Sequence, residues 1–69
     1  MDTWFNLPFG VYVQVIGPYE VFYIAPSITG EFVVTWLRND HGAESRQWVG
    51  VAATPVRASA LAKEWVRPT

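Results

Sequence analysis

The sequence predicts a small α+β fold in which an antiparallel sheet of about four strands precedes one C-terminal helix, in the order ββββα. Val and aromatic residues dominate the segments that lie between single Gly and Pro residues, which is typical of strands joined by turns. Helical spacing of apolar residues appears instead in the C-terminal segment. The chain has 69 residues without a repeat or a linker, so we expect a single domain over residues 1–69.

The first two predicted strands form a β-hairpin. Residues 9–16 and 19–25 share a Val-rich and aromatic composition, and Gly17-Pro18 lies between them. Gly at the first position of a two-residue turn is a hairpin signal. With that turn, Tyr12 would lie directly opposite Tyr23.

A two-residue turn also determines which side chains share a face of this hairpin. One face would be aliphatic and suited to covering by the helix, and its members are Val11, Val13, Val15, Phe22 and Ile24. The other would carry apolar bodies with polar tips, and its members are Tyr12, Gln14, Ile16, Tyr19, Val21 and Tyr23. This second composition is enriched at interfaces and ligand sites, so we expect the tyrosine-rich face to be the binding surface.

The second predicted hairpin joins residues 31–38 to residues 46–52. Both segments are rich in β-branched and aromatic residues, as strands are. Residues 26–30 connect this hairpin to the first one. The polar stretch 39–45, which contains Asp40-His41-Gly42, is predicted to be its loop.

Two tryptophans are expected to face each other on the second hairpin. Loop arms at Arg38 and Arg46 place Trp36 opposite Trp48, with Gly50 on the same face. The other face carries Val33, Thr35, Leu37, Val49 and Val51. Core packing is the favoured interpretation of the rings, because a small core needs large apolar side chains. The alternative is an aromatic floor beneath a bound planar group, and the sequence does not determine which face meets the helix.

The C-terminal helix is expected to begin at Thr54-Pro55. Thr54 supplies an N-cap oxygen, and Pro55 at the first helical position has no N–H to leave unpaired. Apolar residues then recur with the i, i+3, i+4, i+7 spacing of one helix face, and the helix ends near Pro68. The members of that face are Ala58, Leu61, Ala62 and Trp65.

Catalytic chemistry has little support in the sequence. Nucleophilic catalysis needs a hydroxyl or thiol beside a base and an orienting group. Asp40, His41 and Ser45 are residues of those types, but they lie in one short loop and cannot readily converge as a triad does. Arg38 and Arg46 flank that loop, where they are solvated strand ends or, alternatively, a grip for a phosphate or carboxylate. We expect a protein that is not an enzyme and needs no cofactor or metal ion.

The charges and apolar runs give no support to a nucleic-acid or membrane partner. Five Lys and Arg against six Asp and Glu give a formal net charge of −1, which does not favour nucleic acid or anionic lipid. The longest apolar runs are much shorter than the ~20 residues that span a membrane. We therefore expect a soluble, cytoplasmic protein without a membrane or nucleic-acid partner.

Apolar residues on both faces of the predicted sheet indicate self-association. A helix of about twelve residues is roughly 18 Å long and covers only one face of a sheet. The chain has no cysteine, so disulfides cannot stabilise so small a domain. Oligomerisation is the remaining means, and we expect a homo-oligomer.

The segment Ala60-Leu61-Ala62-Lys63-Glu64-Trp65-Val66 resembles the closing Leu-Leu-Ala-x-Asp-Trp segment of small phage proteins that sequester the cyclic nucleotide signal of the Thoeris defence system. Trp4, a strand starting at Val11, and Gly30 ahead of Trp36 fall in a similar order, and Glu stands where those proteins have Asp. The resemblance implies a homo-oligomeric phage protein with ligand pockets between subunits and no turnover of the ligand.

The predicted sheet and helix over residues 31–65 also resemble the DNA-binding modules of plant AP2 proteins and phage integrase arms, although the dense basic residues of those modules are missing. The sequence thus predicts a non-enzymatic phage or mobile-element accessory protein that inhibits a host protein or sequesters a nucleotide-like signal through an aromatic sheet face. The alternatives are a DNA-binding module and a structural virion subunit. The predicted binding residues are Tyr12, Gln14, Tyr19, Tyr23, Trp36, Trp48, Arg38 and Arg46.

Overall fold

The computed structural model describes residues 3–17, 20–40 and 42–66. It confirms the α+β class, with a five-stranded antiparallel sheet whose strands lie side by side in chain order, followed by one helix. The elements are β1 (Thr3–Asn6), β2 (Tyr12–Ile16), β3 (Glu20–Pro26), β4 (Phe32–Asp40), β5 (Ala43–Ala52) and α1 (Pro55–Val66). The four predicted strands correspond to β2 through β5, and β1 is an additional edge strand.

A tight turn occupies the start of the segment predicted as the first strand. Pro8–Gly10 forms a single 3₁₀ turn between β1 and β2. Within it Phe9 has a φ of 65°, in the left-handed region, and its side chain is 94% exposed. A bulky residue in that region is strained. The strand after the turn therefore begins at Tyr12 and not at residue 9.

The first hairpin has a different register from the predicted one. Ile16 pairs with Glu20, so the connection contains three residues and not two. The whole ladder moves by one residue, and Gln14 pairs with Phe22. Side chains alternate between the two faces of a strand. A shift by one residue therefore exchanges the β3 side chains that share a face with a given β2 side chain. The predicted division into an aliphatic face and a tyrosine-rich face is therefore wrong.

The core lies between α1 and one face of the sheet, called the helix-covered face below. The three largest fully buried side chains come from the sheet and are Phe22, Ile24 and Val34. The helix contributes small residues, Ala58 and Ala62, which are also fully buried. Small helix residues let α1 approach the sheet closely, so the large strand residues fill the space between the two layers.

The second hairpin is longer than predicted. Asp40 pairs with Ala43, so most of the predicted loop 39–45 belongs to the two strands, and only two residues separate them. His41 lies outside the described residues. The polar composition of this stretch therefore marks an exposed end of the sheet and not a long loop.

A β-bulge divides the second hairpin into two halves. Val34 pairs with Gly50, whereas the next residue, Thr35, pairs with Trp48. Val49 is thus an extra residue in β5, and it packs against the core. Because of this extra residue, the β5 side chains between the bulge and the turn lie on the opposite face from the one that unbroken alternation would give them.

The helix begins as the sequence predicts. The backbone N–H of Arg57 donates a hydrogen bond to Thr54 Oγ1 at 3.2 Å, and Pro55 is the first helical residue. A Cβ atom at Gly50 would lie 3.1 Å from Leu61 Cδ1, so the glycine accommodates the helix. Leu61 therefore occupies the space beside Gly50, where one interpretation of the sequence placed a planar ligand. No helix in the described part of the chain is long and apolar enough to cross a membrane.

Candidate binding surfaces

The face of the sheet opposite α1, called the open face below, is apolar across all five strands. Strand pairing places one side chain from each strand in a continuous row across it. This central row consists of Phe5, Val13, Tyr23, Thr35 and Trp48. Within residues 3–17, 20–40 and 42–66, the one long helix packs on the other face, and no element covers this one.

Two flanking rows extend the apolar area of the open face. The first consists of Thr3, Val15, Val21, Leu37 and Arg46, and the second of Ala25, Val33 and Val51. The aromatic ends of the central row are the most accessible, with Phe5 50% and Trp48 63% exposed. Contiguous apolar surface of this kind marks interaction sites on soluble proteins.

Charged side chains on the described part of the open face balance each other. The strand register places one cation and one anion of β5 there, Arg46 and Glu44. The guanidinium carbon of Arg46 lies 4.7 Å from the centroid of the Tyr23 ring, which is a cation–π contact. A sheet that binds nucleic acid needs several cations to contact phosphates. The described part of the open face therefore lacks the cluster of cations that a polyanion would contact.

The predicted tyrosine patch does not form. Tyr23 lies on the open face, whereas Tyr12 pairs with Ile24 and lies on the helix-covered face. Gln14 is also on the helix-covered face and is only 2% exposed. Tyr19 lies outside the described residues. Of the described members of the predicted tyrosine-rich face, Tyr23 and Val21 lie on the open face, and Tyr12, Gln14 and Ile16 lie on the helix-covered face.

The two tryptophans of the second hairpin also lie on opposite faces. Beyond the bulge, Trp36 pairs with Gln47 and not with Trp48. The Trp36 ring contacts Trp65 of α1 edge to face, with ring centroids 6.0 Å apart. Trp36 therefore packs against the core, whereas Trp48 is exposed on the open face.

The two arginines near the second turn do not form one anion grip. Arg38 lies on the helix-covered face, where its guanidinium carbon is 5.1 Å from the Trp36 ring centroid. Arg46 lies on the open face over Tyr23. The sheet thus lies between the two guanidinium groups, and each of them stacks on a different aromatic ring.

A second candidate site, called the helix-edge cleft below, lies between α1 and the β1–β2 edge of the sheet. Its volume is about 620 Å³. Trp4 and Tyr12 line it from the sheet, with ring centroids 5.0 Å apart and ring planes inclined at 38°. The helix contributes Pro55, Val56, Ser59, Ala60 and Lys63. The sequence analysis missed this cleft because it did not predict β1, although the adjacent aromatic residues Trp4 and Phe5 were an available signal of a strand.

Gln14 is buried beside this aromatic pair. It pairs with Trp4 across the β1–β2 ladder and lies two residues from Tyr12 on the same face. Its Oε1 has no hydrogen-bond partner among the described residues. A buried acceptor without a partner costs about 1–3 kcal/mol, so Gln14 weakens the fold at this position.

The described residues contain no group of three or more His, Cys, Asp or Glu side chains placed to hold a metal ion. Ser45, one of the triad-type residues, lies in β5 opposite Arg38. Comparison with protein-family models, with curated proteins and with solved structures gives no match. The described residues thus form a small α+β module whose open face is not covered by the helix and whose helix borders a cleft at the β1–β2 edge.

Proposed function

We propose that this chain is a non-catalytic binding protein that acts as a homodimer, with the open faces of two copies packed against each other. The observation that carries the proposal is the uncovered central row, which runs from Phe5 to Trp48 across all five strands. Two sheets packed face to face would bury this row from both sides, as in a β-sandwich.

The surface area supports a second copy as the partner. The accessible surface is 4970 Å². A compact monomer of this mass, 7.8 kDa, exposes about 4,400 Å². The excess of roughly 600 Å² is close to the ~800 Å² that each partner buries in a standard interface. An excess of this order is expected of a subunit that buries one face against a partner.

The charge distribution supports the same partner. A two-fold interface brings the same patch of both subunits together, so a patch with net charge would repel itself. Arg46 and Glu44 give the open face one charge of each sign. Two copies can meet through this face without net repulsion.

Sedimentation equilibrium tests the proposal with two matched variants. Trp48→Glu places a carboxylate in the centre of the proposed interface, where burying an unpaired charge is costly. Ile28→Glu makes the same kind of change at a side chain that is fully exposed in the turn after β3. We expect the wild type and Ile28→Glu to be dimers at micromolar concentration and Trp48→Glu to be a monomer.

Two results would overturn the proposal. A wild-type chain that stays monomeric throughout the concentration range excludes a second copy as the partner. A Trp48→Glu variant that remains dimeric places the interface elsewhere. A counter-defence role in a phage rests on the resemblance carried by residues 60–66 and by the order of Trp4, Val11, Gly30 and Trp36, and it stays a prediction.

A further inference from the structure

The helix-edge cleft has the features of a small-molecule site, and it is independent of the open face. Ligand pockets of proteins have volumes of roughly 300–1,000 Å³ and are lined mainly by apolar and aromatic groups with a few polar ones. The cleft, at about 620 Å³, lies within that range. Because it lies on the helix-covered side of the sheet, a dimer formed through the open face leaves it accessible.

The lining of the cleft indicates a flat aromatic ligand. Trp4 is 39% exposed, so part of its surface remains available for stacking beside Tyr12. On the opposite side Val56 is 80% exposed, and Ala60 and Pro55 add further apolar surface. A planar ring inserted between the aromatic pair and the helix would contact apolar atoms on both of its sides.

The polar groups of the cleft indicate an anion of low charge. Lys63 is the cation among the lining residues, and Ser59 adds a hydroxyl. A group with several phosphates would need several cations, and the lining residues supply a single lysine. A carboxylate attached to an aromatic ring matches this combination.

We propose that the helix-edge cleft binds a planar aromatic monoanion, specifically an aromatic carboxylic acid. The ring packs between the Trp4–Tyr12 pair and Val56, and the carboxylate is held at Lys63 and Ser59. The site needs one chain only.

Amide chemical-shift titration with chosen probes tests this assignment. Indole-3-acetate supplies the ring and the carboxylate, and indole-3-acetamide is its neutral counterpart. Adenosine monophosphate supplies a ring with a phosphate. We expect indole-3-acetate to shift the signals of Trp4, Ser59 and Ala60, and to bind about fivefold more tightly than the amide, as one charge pair at 4 Å in water allows.

Variants separate this site from other apolar surface. Val56→Glu adds a carboxylate at an exposed position of the cleft and should abolish binding of indole-3-acetate. Ile28→Glu is the matched control, since it adds the same charge at a distant exposed side chain, and it should bind as the wild type does. Lys63→Gln should remove the preference for the acid over the amide.

Each contrary result overturns the proposal. These are an absence of shifts at the cleft up to millimolar probe, shifts centred on the open-face residues Val13 and Trp48, equal affinity for acid and amide, or tighter binding of adenosine monophosphate than of indole-3-acetate. None of them affects the dimer, because sedimentation of the unliganded chain tests that interface separately.

Discussion

The ring of Trp65 contacts the ring of Trp36 edge to face, with centroids 6.0 Å apart and ring planes at 65°. The contact attaches the last turn of α1 to the half of β4 that lies beyond the bulge. Trp65 remains 39% exposed, so its ring covers the margin of the core and not its centre. Arg38 lies over the Trp36 ring as well, and the three side chains form a stack at this end of the helix.

Replacing Trp65 by Leu should lower the free energy of unfolding by about 1 kcal/mol, because the apolar bulk is retained while the edge-to-face contact is lost. Urea unfolding followed by far-ultraviolet circular dichroism, at one fixed protein concentration, measures the change. A double-mutant cycle with Trp36→Leu should give a coupling of about 0.5–1.5 kcal/mol. Zero coupling would show that the contact contributes nothing.

The tyrosines on opposite faces should respond differently to the same substitution. Tyr12→Ser removes a ring that packs against the core, and we expect the free energy of unfolding to fall by about 2 kcal/mol or more. Tyr23→Ser should weaken dimerisation and leave the stability of the single subunit within about 1 kcal/mol of its original value. Each change is also made separately in the Trp48→Glu background, which we expect to be monomeric. This comparison separates the stability of the subunit from its association. The opposite ranking of the two variants would contradict the face assignment.

The buried acceptor of Gln14 offers a stabilising substitution. Gln14→Met keeps the length of the side chain and removes the Oε1 atom that has no partner among the described residues. The variant should be more stable than the wild type by about 1–2 kcal/mol, the cost of the unsatisfied group. Chemical denaturation measures this gain. A loss of stability instead would show that Gln14 is hydrogen-bonded in solution, for example through a water molecule.

Replacing Phe9 should stabilise the fold. Its left-handed backbone conformation is unfavourable for a bulky residue, and its side chain, 94% exposed, contributes little packing. Asn tolerates that conformation, so Phe9→Asn should raise the free energy of unfolding by about 1 kcal/mol. Phe9→Val should lower it, since a β-branched residue fits the left-handed region worst. Thermal unfolding of the two variants side by side checks the ordering, and equal midpoints would argue against strain.

The helix could be predicted from the sequence because its signals are local. Thr54-Pro55 marks its start by hydrogen bonding and by proline geometry within one turn, and apolar spacing identifies the buried Ala58 and Ala62. The number of strands was nearly right for a related reason, since Gly and Pro mark most of the turns. The four residues of β1 are too few to show alternation, and the strand is identified only by its partner β2.

The faces of the sheet could not be predicted, because register depends on turn length to the residue. Normally a wrong register exposes apolar side chains and is recognisable from the pattern. Here both faces of β2 and β3 are apolar, so a two-residue and a three-residue connection after Ile16 give equally plausible patterns. In the second hairpin the polar residues around Asp40 resemble a loop, yet they pair as strand residues.

The surplus residue Val49 lets β5 contribute to both faces of the sheet within three consecutive residues. Val49 packs against the core, while its neighbour Trp48 lies on the open face opposite Thr35. Loss of a single codon at Val49 would restore regular alternation through β5, because Gly50 would still pair with Val34 and Trp48 with Thr35. Such a frame-preserving deletion would remove an apolar side chain from the interior and leave the outer surface unchanged. The interior and the exterior of this hairpin can therefore change independently during evolution.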